Sequence, residues 1–385
     1  MRVSESIYLD YQATTPVDGR VFEVMQPYFA ESFGNPHSTN HLLGWRSLQA
    51  VDDARRKVAD LIGALDDEVF FTSGATEANN HVMFGVMSAS DSGRQKVLIS
   101  SIEHKCVKEA AYQFASHFGC RVEEIPVLRS GLIDLAAYEE MLSDDVLLVS
   151  IMAVNNEIGS VQDIPTLAGM ARRVGALFHC DAAQAPEAID VDVVAMDVDF
   201  LSLSSHKIYG PKGIGCLYVE ASLIEGFPAF IYGGGQQGGM RAGTLPTPLC
   251  VGFGEAASIL SGERKANRGE LKALSDLFLQ KLDSLGVLFS LNGEATQRHP
   301  GNLNICFHGV NADSLLNTLQ PLVCASTGSA CNSGFIESSY VLRAIGLSPE
   351  EASSSIRFSV GRFSTSEQVT EAVELIAKKI AELSN

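Results

Sequence analysis

Lys207 is the residue whose sequence setting points most directly to chemistry. It ends the stretch DFLSLSSHK, which has the alternation of a strand, and the turn IYGPKG follows it. The pattern therefore predicts a strand that delivers a lysine into a glycine-bounded turn. A lysine held rigidly and partly stripped of water can form a Schiff base with an aldehyde cofactor. Taken alone, the residue leaves a solvated surface cation as the alternative.

Asp181 ends the apolar run ALFHC, so its carboxylate is expected to be partly desolvated. Such a charge is costly unless a cation lies beside it. The protonated ring nitrogen of a pyridine cofactor is such a cation, and the pairing makes the ring an electron sink. Lys207 lies 26 residues later, which leaves room for a crossover to a neighbouring strand. A helix N-cap aspartate is the alternative.

A small-residue turn, Thr72 to Thr76 (TSGAT), follows a predicted strand and opens the helical pattern ATEANNHVMFGV. Unpaired backbone N–H groups and the positive end of a helix dipole suit a phosphate. A capped helix start with nothing bound is the alternative, which this segment taken alone favours. The turn matches neither the P-loop pattern nor a dinucleotide fingerprint.

His104 and Arg357 are further candidates. His104 follows the strand-like KVLISS and could stack on a cofactor ring or shuttle protons, or serve only as a structural hydrogen-bonding residue. Arg357 lies in the neutral, strand-like SSIRFSVG, where its planar fork suits a substrate carboxylate in two-point contact. A salt bridge to an internal acid is the alternative for Arg357.

Cys331 differs from the other seven cysteines, because small residues surround it (STGSACNSG) and nothing apolar is near to bury its sulfur. An exposed thiol just ahead of a helix can have its thiolate favoured and can move. Both properties suit a nucleophile that enters a site and then carries the transferred group away. A loop cysteine without a role is the alternative. Cys324, in the apolar PLVCAS, is expected to pack. The spacing of the eight cysteines predicts neither a metal site nor a disulfide framework.

Short runs rich in Val, Ile, Leu and Phe alternate with helical patterns, which predicts a mostly parallel sheet covered by helices. Only VDFLSLS and GIGCLYV are close enough in sequence to be antiparallel neighbours. Functional groups in such sheets collect at the carboxyl ends of strands. Five candidates follow a predicted strand end: Gly74, His104, Asn156, Asp181 and Lys207.

The 385 residues predict two domains. We expect a large domain over residues 16–262 and a smaller α+β domain built from residues 1–15 and 263–385, which carries Cys331. A last helix is predicted with Ser364 and Glu367 at capping-box spacing. The net charge of -18 opposes direct binding to nucleic acid. Neither an export signal nor an apolar run of membrane-spanning length is visible, so the cytoplasm is the expected compartment.

Together the quoted residues supply the groups needed for pyridoxal phosphate chemistry on a sulfur substrate, and the chain resembles a family that performs it. Segments in the order and spacing of the cysteine desulfurases are LDYQATTPVD, FGNPHS, TSGATEANN, EHK, VNNEIG, HCDAAQ, SSHKIYGPKGIG, GGG with MRAGT, STGSAC and SSIRFSVGRF. They resemble the bacterial branch with the longer catalytic-cysteine loop, across roughly residues 7 to 370. The resemblance implies a fold-type I pyridoxal phosphate enzyme, with a mostly parallel seven-stranded sheet in the large domain.

The resemblance also implies roles for individual residues. Lys207 would bond to the cofactor and later move the substrate α proton, and Cys331 would accept the sulfur. His104 would stack on the ring, and Asn156 and Arg357 would hold the substrate carboxylate. The remaining implied cofactor contacts are Asp181 with the ring nitrogen, Gln184 with the ring hydroxyl, and Ala75, Thr76, Ser204 and His206 with the phosphate. Asn156 also counts among the cofactor contacts, and Thr244 would reach the phosphate from the other subunit, which implies a homodimer.

The implied reaction converts L-cysteine to L-alanine and leaves a persulfide on Cys331, which then passes to an acceptor protein. Two departures leave that acceptor open. The housekeeping iron-sulfur branch often has a charged residue where this chain reads Gln237-Gly238, and it continues past the helix that ends here at Asn385. Iron-sulfur assembly, tRNA thiolation and DNA phosphorothioation are the expected pathways. The alternatives are a selenocysteine lyase, another fold-type I aminotransferase, or a non-catalytic scaffold subunit.

Overall fold

The computed structural model describes residues 1–89, 93–327 and 339–383, and Cys331 lies outside these ranges. The strands are β1 (Arg2–Val3), β2 (Ser6–Tyr8), β3 (Val69–Thr72), β4 (Lys96–Ser100), β5 (Arg121–Ile125), β6 (Val146–Ser150), β7 (Leu177–Asp181), β8 (Phe200–Ser204), β9 (Gly215–Val219), β10 (Phe289–Leu291), β11 (Asn302–Phe307), β12 (Val323–Cys324) and β13 (Ser355–Ser359).

The helices are α1 (Gly19–Met25), α2 (Pro27–Ala30), α3 (Leu42–Ile62), α4 (Ala75–Ser88), α5 (Lys105–Phe118), α6 (Leu135–Met141), α7 (Ile164–Arg173), α8 (Ala185–Ala188), α9 (Ala221–Ile224), α10 (Thr247–Ser284), α11 (Ala312–Leu319), α12 (Tyr340–Ala344), α13 (Pro349–Ser353) and α14 (Ser366–Leu383). Short 3-10 turns occur at Asp66–Glu68, Ser205–Lys207 and Gln237–Gly239. In the described ranges, no helix is both long and apolar enough to cross a bilayer.

A seven-stranded sheet organises the larger part of the chain, in the order β3-β9-β8-β7-β6-β4-β5. Strand β9 is antiparallel to β3 and β8, and the other neighbours are parallel. This confirms the mostly parallel α/β sheet and its antiparallel pair. Strand β8 is buried along its whole length, because helices cover both faces of the sheet. Leu201 and Leu203 pack into one apolar cluster, while Phe200 packs into the cluster on the opposite face.

A second apolar core lies around two smaller sheets, ordered β10-β11-β13 and β1-β2-β12. Ile7 of β2 joins Leu303, Phe358 and Val373 there, so the N-terminus packs with the C-terminal part of the chain. Helix α10 connects the two cores: Phe253 and Leu260 lie in the first, and Leu271 and Phe278 in the second. The predicted domain boundary at 262–263 lies within this continuous helix, and the division into two domains stays a prediction.

The start of the last helix corrects one expectation. The hydroxyl of Thr365 accepts from the backbone N–H of Gln368 at 3.3 Å, so Thr365 caps α14. Ser364, the predicted cap, instead accepts from the N–H of Gly361 at 3.1 Å. The capping prediction was therefore wrong by one residue, because Ser364 is used by the preceding turn.

Helices α3 and α10 approach closely enough that a glycine is required between them. A Cβ added at Gly254 would lie 2.6 Å from the Cα of Ala54. We expect Gly254→Ala to lower the free energy of unfolding by about 2 kcal/mol through overpacking. Gly262 lies on the same helix with nothing within 4 Å of an added Cβ. Gly262→Ala should therefore stabilise the protein by about 0.5 kcal/mol. Urea unfolding checks both changes, and equal stability of the two variants would contradict the close packing.

Candidate active site

A cavity of about 540 Å³ opens at the carboxyl edge of the large sheet. Ten predicted residues line it: Ala75, Thr76, His104, Asn156, Asp181, Gln184, Ser204, His206, Lys207 and Arg357. Two other cavities, of about 620 and 630 Å³, contain none of these side chains. The convergence follows from topology, because parallel strands end at the same edge of a sheet.

Lys207 stands in the 3-10 turn that follows β8. Its ammonium donates to the carbonyl oxygens of Gln12 at 2.6 Å and Ala13 at 2.9 Å. The loop after β2, near the N-terminus, therefore holds Lys207 at the cavity. A freely solvated cation, the alternative left by the sequence, does not describe this lysine.

Asp181 is buried, with 4% of its surface exposed. One carboxylate oxygen accepts from the backbone N–H of Ala183 at 3.0 Å, and the other accepts from the side-chain amide of Asn79 at 2.8 Å. Both donors are neutral, and no salt bridge to Asp181 occurs among the described residues. A buried carboxylate with only neutral partners suits a cationic ligand group such as a protonated ring nitrogen.

His104 caps the N-terminus of α5. Its Nδ1 accepts from the backbone N–H of Cys106 at 3.2 Å, so the ring proton lies on Nε2. Burial lowers the pKa of His104, which keeps the imidazole neutral. Burial also raises the pKa of the Cys106 thiol to about 12, so this neighbouring sulfur remains protonated. His104, held by the backbone of Cys106, therefore presents a fixed and uncharged ring at the cavity wall.

The turn between β3 and α4 forms one end of the cavity. Gly74 is the N-cap residue, with φ at +152°, a backbone conformation that favours glycine. The first N–H groups of a helix have no acceptor within the helix, so they are available to an anion. Ser204 borders this turn, since a Cβ at Gly74 would lie 3.8 Å from its hydroxyl oxygen. Lys212, which was not predicted from the sequence, also lines the cavity and adds positive charge.

His206 lies beside the same loop that holds Lys207. Its Nδ1 is 3.0 Å from the hydroxyl oxygen of Thr14. Burial, together with the charges of Lys207 and Lys212, lowers the pKa of His206 to about 4, so its ring is neutral. These groups, with the α4 turn and the carboxylate of Asp181 at the same cavity, fit a pyridine ring that carries a phosphate and an aldehyde.

Arg357 lies on β13 with only 4% of its surface exposed. Its Nη2 donates to Asp10 at 2.7 Å and to the hydroxyl of Ser326 at 2.8 Å. Its Nη1 donates to the carbonyl oxygen of Asn156 at 2.9 Å. The internal salt bridge, one of the two sequence readings, is therefore present, and a role in substrate binding stays a prediction.

Glu157 follows the half-buried Asn156 and is itself buried. It accepts a hydrogen bond from the hydroxyl of Ser339, the first described residue after position 338. Its backbone carbonyl accepts from the side-chain amides of Asn302 at 3.0 Å and Asn304 at 3.1 Å. Burial raises the pKa of Glu157 to about 7.

Of the predicted residues that the structure describes, Thr244 lies outside the main cavity. Thr244 is exposed and lines a smaller neighbouring cavity of about 240 Å³, which shares Ser73 and Gly213 with the main one. Cys331 lies outside the described residues. Cys324, expected to pack, is half-buried.

Several contributors to the site were not predicted from the sequence: Asp10, Gln12, Ala13, Asn79 and Lys212. Two of them, Gln12 and Ala13, act on Lys207 through backbone carbonyls, for which side-chain type is no signal. The segment LDYQATTPVD was noticed only through a resemblance. Among the described residues, no cluster of His, Cys, Asp and Glu is arranged to hold a metal ion.

Comparisons with known proteins show the family to which the chain belongs. The family model described as aminotransferase class-V matches residues 7–371. The chain is 45% identical over 377 residues to the cysteine desulfurase IscS of Rickettsia rickettsii, covering 98% of this chain and 92% of that protein. A solved NifS-like protein superposes with a TM-score of 0.90 at 30% identity, covering 98% of this chain and 100% of that one. A structure described as SspA in complex with cysteine superposes with a TM-score of 0.81 at 36% identity, covering 93% and 99%.

The buried carboxyl of Glu157 predicts a pH dependence of stability. Its pKa rises from 4.5 to about 7 on folding, so its proton is held more tightly in the folded protein. The stability that this proton contributes is complete below about pH 4.5 and is lost as pH rises through about 7. Going from pH 5 to pH 8, Glu157→Gln should therefore gain about 2 kcal/mol of unfolding free energy relative to the wild type. Urea unfolding at both pH values measures this gain, and a constant difference would refute it.

Proposed function

This chain belongs to the aminotransferase class-V family as a cysteine desulfurase, and we propose that it converts L-cysteine to L-alanine with pyridoxal phosphate at Lys207 and Cys331 as the sulfur acceptor. The observation that carries the proposal is the cavity where Lys207, Asp181 and the α4 turn meet. An amine, a buried anion and a phosphate-type turn are the three groups that this cofactor requires.

Each end of the cofactor has candidate partners in the cavity. Asp181 would face the ring nitrogen, Gln184 the ring hydroxyl, and the neutral imidazole of His104 one face of the ring. The phosphate would lie at the first turn of α4, held by Ala75, Thr76, Ser204 and His206. When bound, pyridoxal phosphate supplies an aldehyde carbon for amines and a ring that accepts electron density.

Lys207 would act as the proton carrier of the reaction. Its amine is held by the carbonyls of Gln12 and Ala13 at the cavity rather than in bulk water. Once the substrate amine has replaced it, this amine can take the substrate α proton and return it. His104 accepts a hydrogen bond at Nδ1, so its ring is neutral and would add no charge to the cavity wall beside this amine.

Asn156 and Arg357 would hold the carboxylate of the amino acid. Arg357 is buried and oriented by Asp10, Ser326 and the Asn156 carbonyl, so its position is set before substrate binds. An oriented guanidinium loses little entropy when it forms a charge-assisted hydrogen bond.

The thiolate of Cys331 would attack the substrate sulfur. A sulfur–sulfur bond forms while the bond between Cβ and sulfur breaks, and the electron pair left on Cβ takes up a proton, which yields L-alanine. Ser326 contacts Arg357 at the cavity, and Cys331 follows five residues later. Five residues can span up to about 18 Å, so the length of the chain permits Cys331 to reach the cavity.

A homodimer and an acceptor protein complete the proposal. Thr244 is exposed beside the phosphate end of the cavity, where a second subunit's copy would contribute. Large apolar side chains are exposed along helices α1 to α3 and the segment between α2 and α3. They are Phe22, Phe29, Phe33, Leu42 and Trp45. Their exposure supports an interface with a second copy.

The acceptor protein would serve iron-sulfur assembly, tRNA thiolation or DNA phosphorothioation. The net charge of -18 favours a protein partner over direct contact with nucleic acid. The cysteines that the structure describes are all free thiols, which supports a reducing compartment such as the cytoplasm.

The sulfur step is tested with Cys331→Ala. After incubation with L-cysteine, mass spectrometry should find one added sulfur on the Cys331 peptide of the wild type. In Cys331→Ala, L-alanine production should fall at least about a hundredfold, because the nucleophile is gone. Cys324→Ala is the matched control and should retain activity. Full alanine production by Cys331→Ala would instead contradict the role of Cys331 and favour a lyase.

The homodimer is tested by placing charge on the exposed apolar side chains. Phe29→Asp with Trp45→Asp should shift the sedimenting species from dimer to monomer, because like charges would face each other in the interface. Val194, which is 78% exposed, provides the control substitution Val194→Asp. A wild-type monomer, or a double variant that remains dimeric, would refute this interface.

A further inference from the structure

Two buried hydrogen-bond donors at the cavity have no partner among the described residues. They are the side-chain amide nitrogen Nε2 of Gln12 and the Nε of Arg357. Both residues line the cavity, and each is 4% exposed. Buried donors are rarely left unpaired in folded proteins. The pair therefore indicates that a ligand supplies acceptor atoms here.

The orientation of the Gln12 amide is determined by its neighbours. The side-chain amide nitrogen of Asn302 donates to the carbonyl oxygen of Glu157 at 3.0 Å, which identifies that nitrogen as the donor. The same nitrogen donates to Oε1 of Gln12. Gln12 must therefore present its oxygen to Asn302, and its own NH2 group remains available.

Gln12 is also held through its backbone. Its N–H donates to the hydroxyl of Ser359 at 2.9 Å, and its carbonyl accepts from Lys207 and from the side-chain amide of Gln184. Ser359 lies two residues from Arg357 on β13, so both face the same side of that strand. The two unpaired donors thus belong to neighbouring positions on one wall.

Arg357 has limited capacity to hold a carboxylate alone. Three of its five N–H groups are engaged with Asp10, Ser326 and the Asn156 carbonyl. The carboxylate of Asp10, 2.7 Å away, also offsets the guanidinium charge. A second donor beside Nε would compensate for both effects.

We propose that the side-chain amide of Gln12 donates a hydrogen bond to the substrate α-carboxylate, next to Arg357. This inference rests on the proposed function and names a substrate-binding residue for it. Gln12 then links two tasks, because its backbone carbonyl holds Lys207 while its side chain recognises the carboxylate.

The test measures ligand affinity rather than turnover. L-alanine carries the carboxylate but no thiol, and L-alaninamide replaces the carboxylate by a neutral amide. Their dissociation constants are obtained by titrating the absorbance of the cofactor-loaded enzyme. Gln12→Met should weaken L-alanine binding about tenfold and L-alaninamide binding much less, because a charge-assisted hydrogen bond is lost.

A second variant and a control separate recognition from folding. Gln12→Glu keeps the acceptor for Asn302 and should reduce the preference for L-alanine over L-alaninamide by more than about tenfold, since the carboxylates repel. Asn304→Ala removes another amide that bonds Glu157 and that has no hydrogen bond to Gln12 in the part of the chain that the structure describes. The ligand preference of this variant should match the wild type.

The inference is overturned if Gln12→Met and Gln12→Glu keep the wild-type preference, or if Asn304→Ala changes it equally. A wild-type enzyme that makes no L-alanine from L-cysteine would instead overturn the proposed function.

Discussion

The carboxylate of Asp181 is the charge on which the rest of this site depends, because it is buried and its hydrogen-bond donors among the described residues are neutral. Its negative field acts on the groups around it. Besides burial, the field of Asp181 raises the pKa of Glu103 well above its usual range and contributes to the raised pKa of the Cys106 thiol. Because these raised pKa values keep Glu103 and Cys106 protonated, Asp181 is the anion that faces the cofactor ring in our proposal. The cost of burying it is met in part by Asn79 and Ala183, and a ring cation would meet the remainder.

A second constraint is the return of the N-terminal loop to the carboxyl edge of the sheet. Gln12 and Ala13 bond Lys207, while the hydroxyl of Thr15 donates to the carbonyl of His206 at 3.0 Å. The loop is anchored because β2 packs into the second apolar core together with β11 and β13. The placement of Lys207 at the edge of the large sheet is thereby coupled to packing in the second core. Arg357 contributes to the same coupling, since it reaches from β13 to Asp10 and to the carbonyl of Asn156.

In our proposal, charge is distributed so that two parts of the cavity suit different anions. The part proposed for the phosphate has helix N–H groups and Lys212 with a neutral His206. The part proposed for the substrate carboxylate has Arg357, which forms a salt bridge with Asp10, and the amide of Gln12. A neutral amide adds a directed donor without adding charge, which favours discrimination by shape over simple attraction.

The sequence alone determined the sheet and most of the residues at its edge, because buried strands are recognised from short apolar runs and their ends are local features. Lys207, Asp181, His104 and Gly74 could be predicted for that reason. The pairing of Arg357 with Asp10 connects residues 347 positions apart, and the bond from Lys207 to Gln12 spans 195. The cap of α14 moved from Ser364 to Thr365 because a neighbouring turn competed for the serine. Only the tertiary structure decided the contacts of Arg357 with Asp10 and of Lys207 with Gln12, since they depend on which distant groups packing brings within about 3 Å of each other.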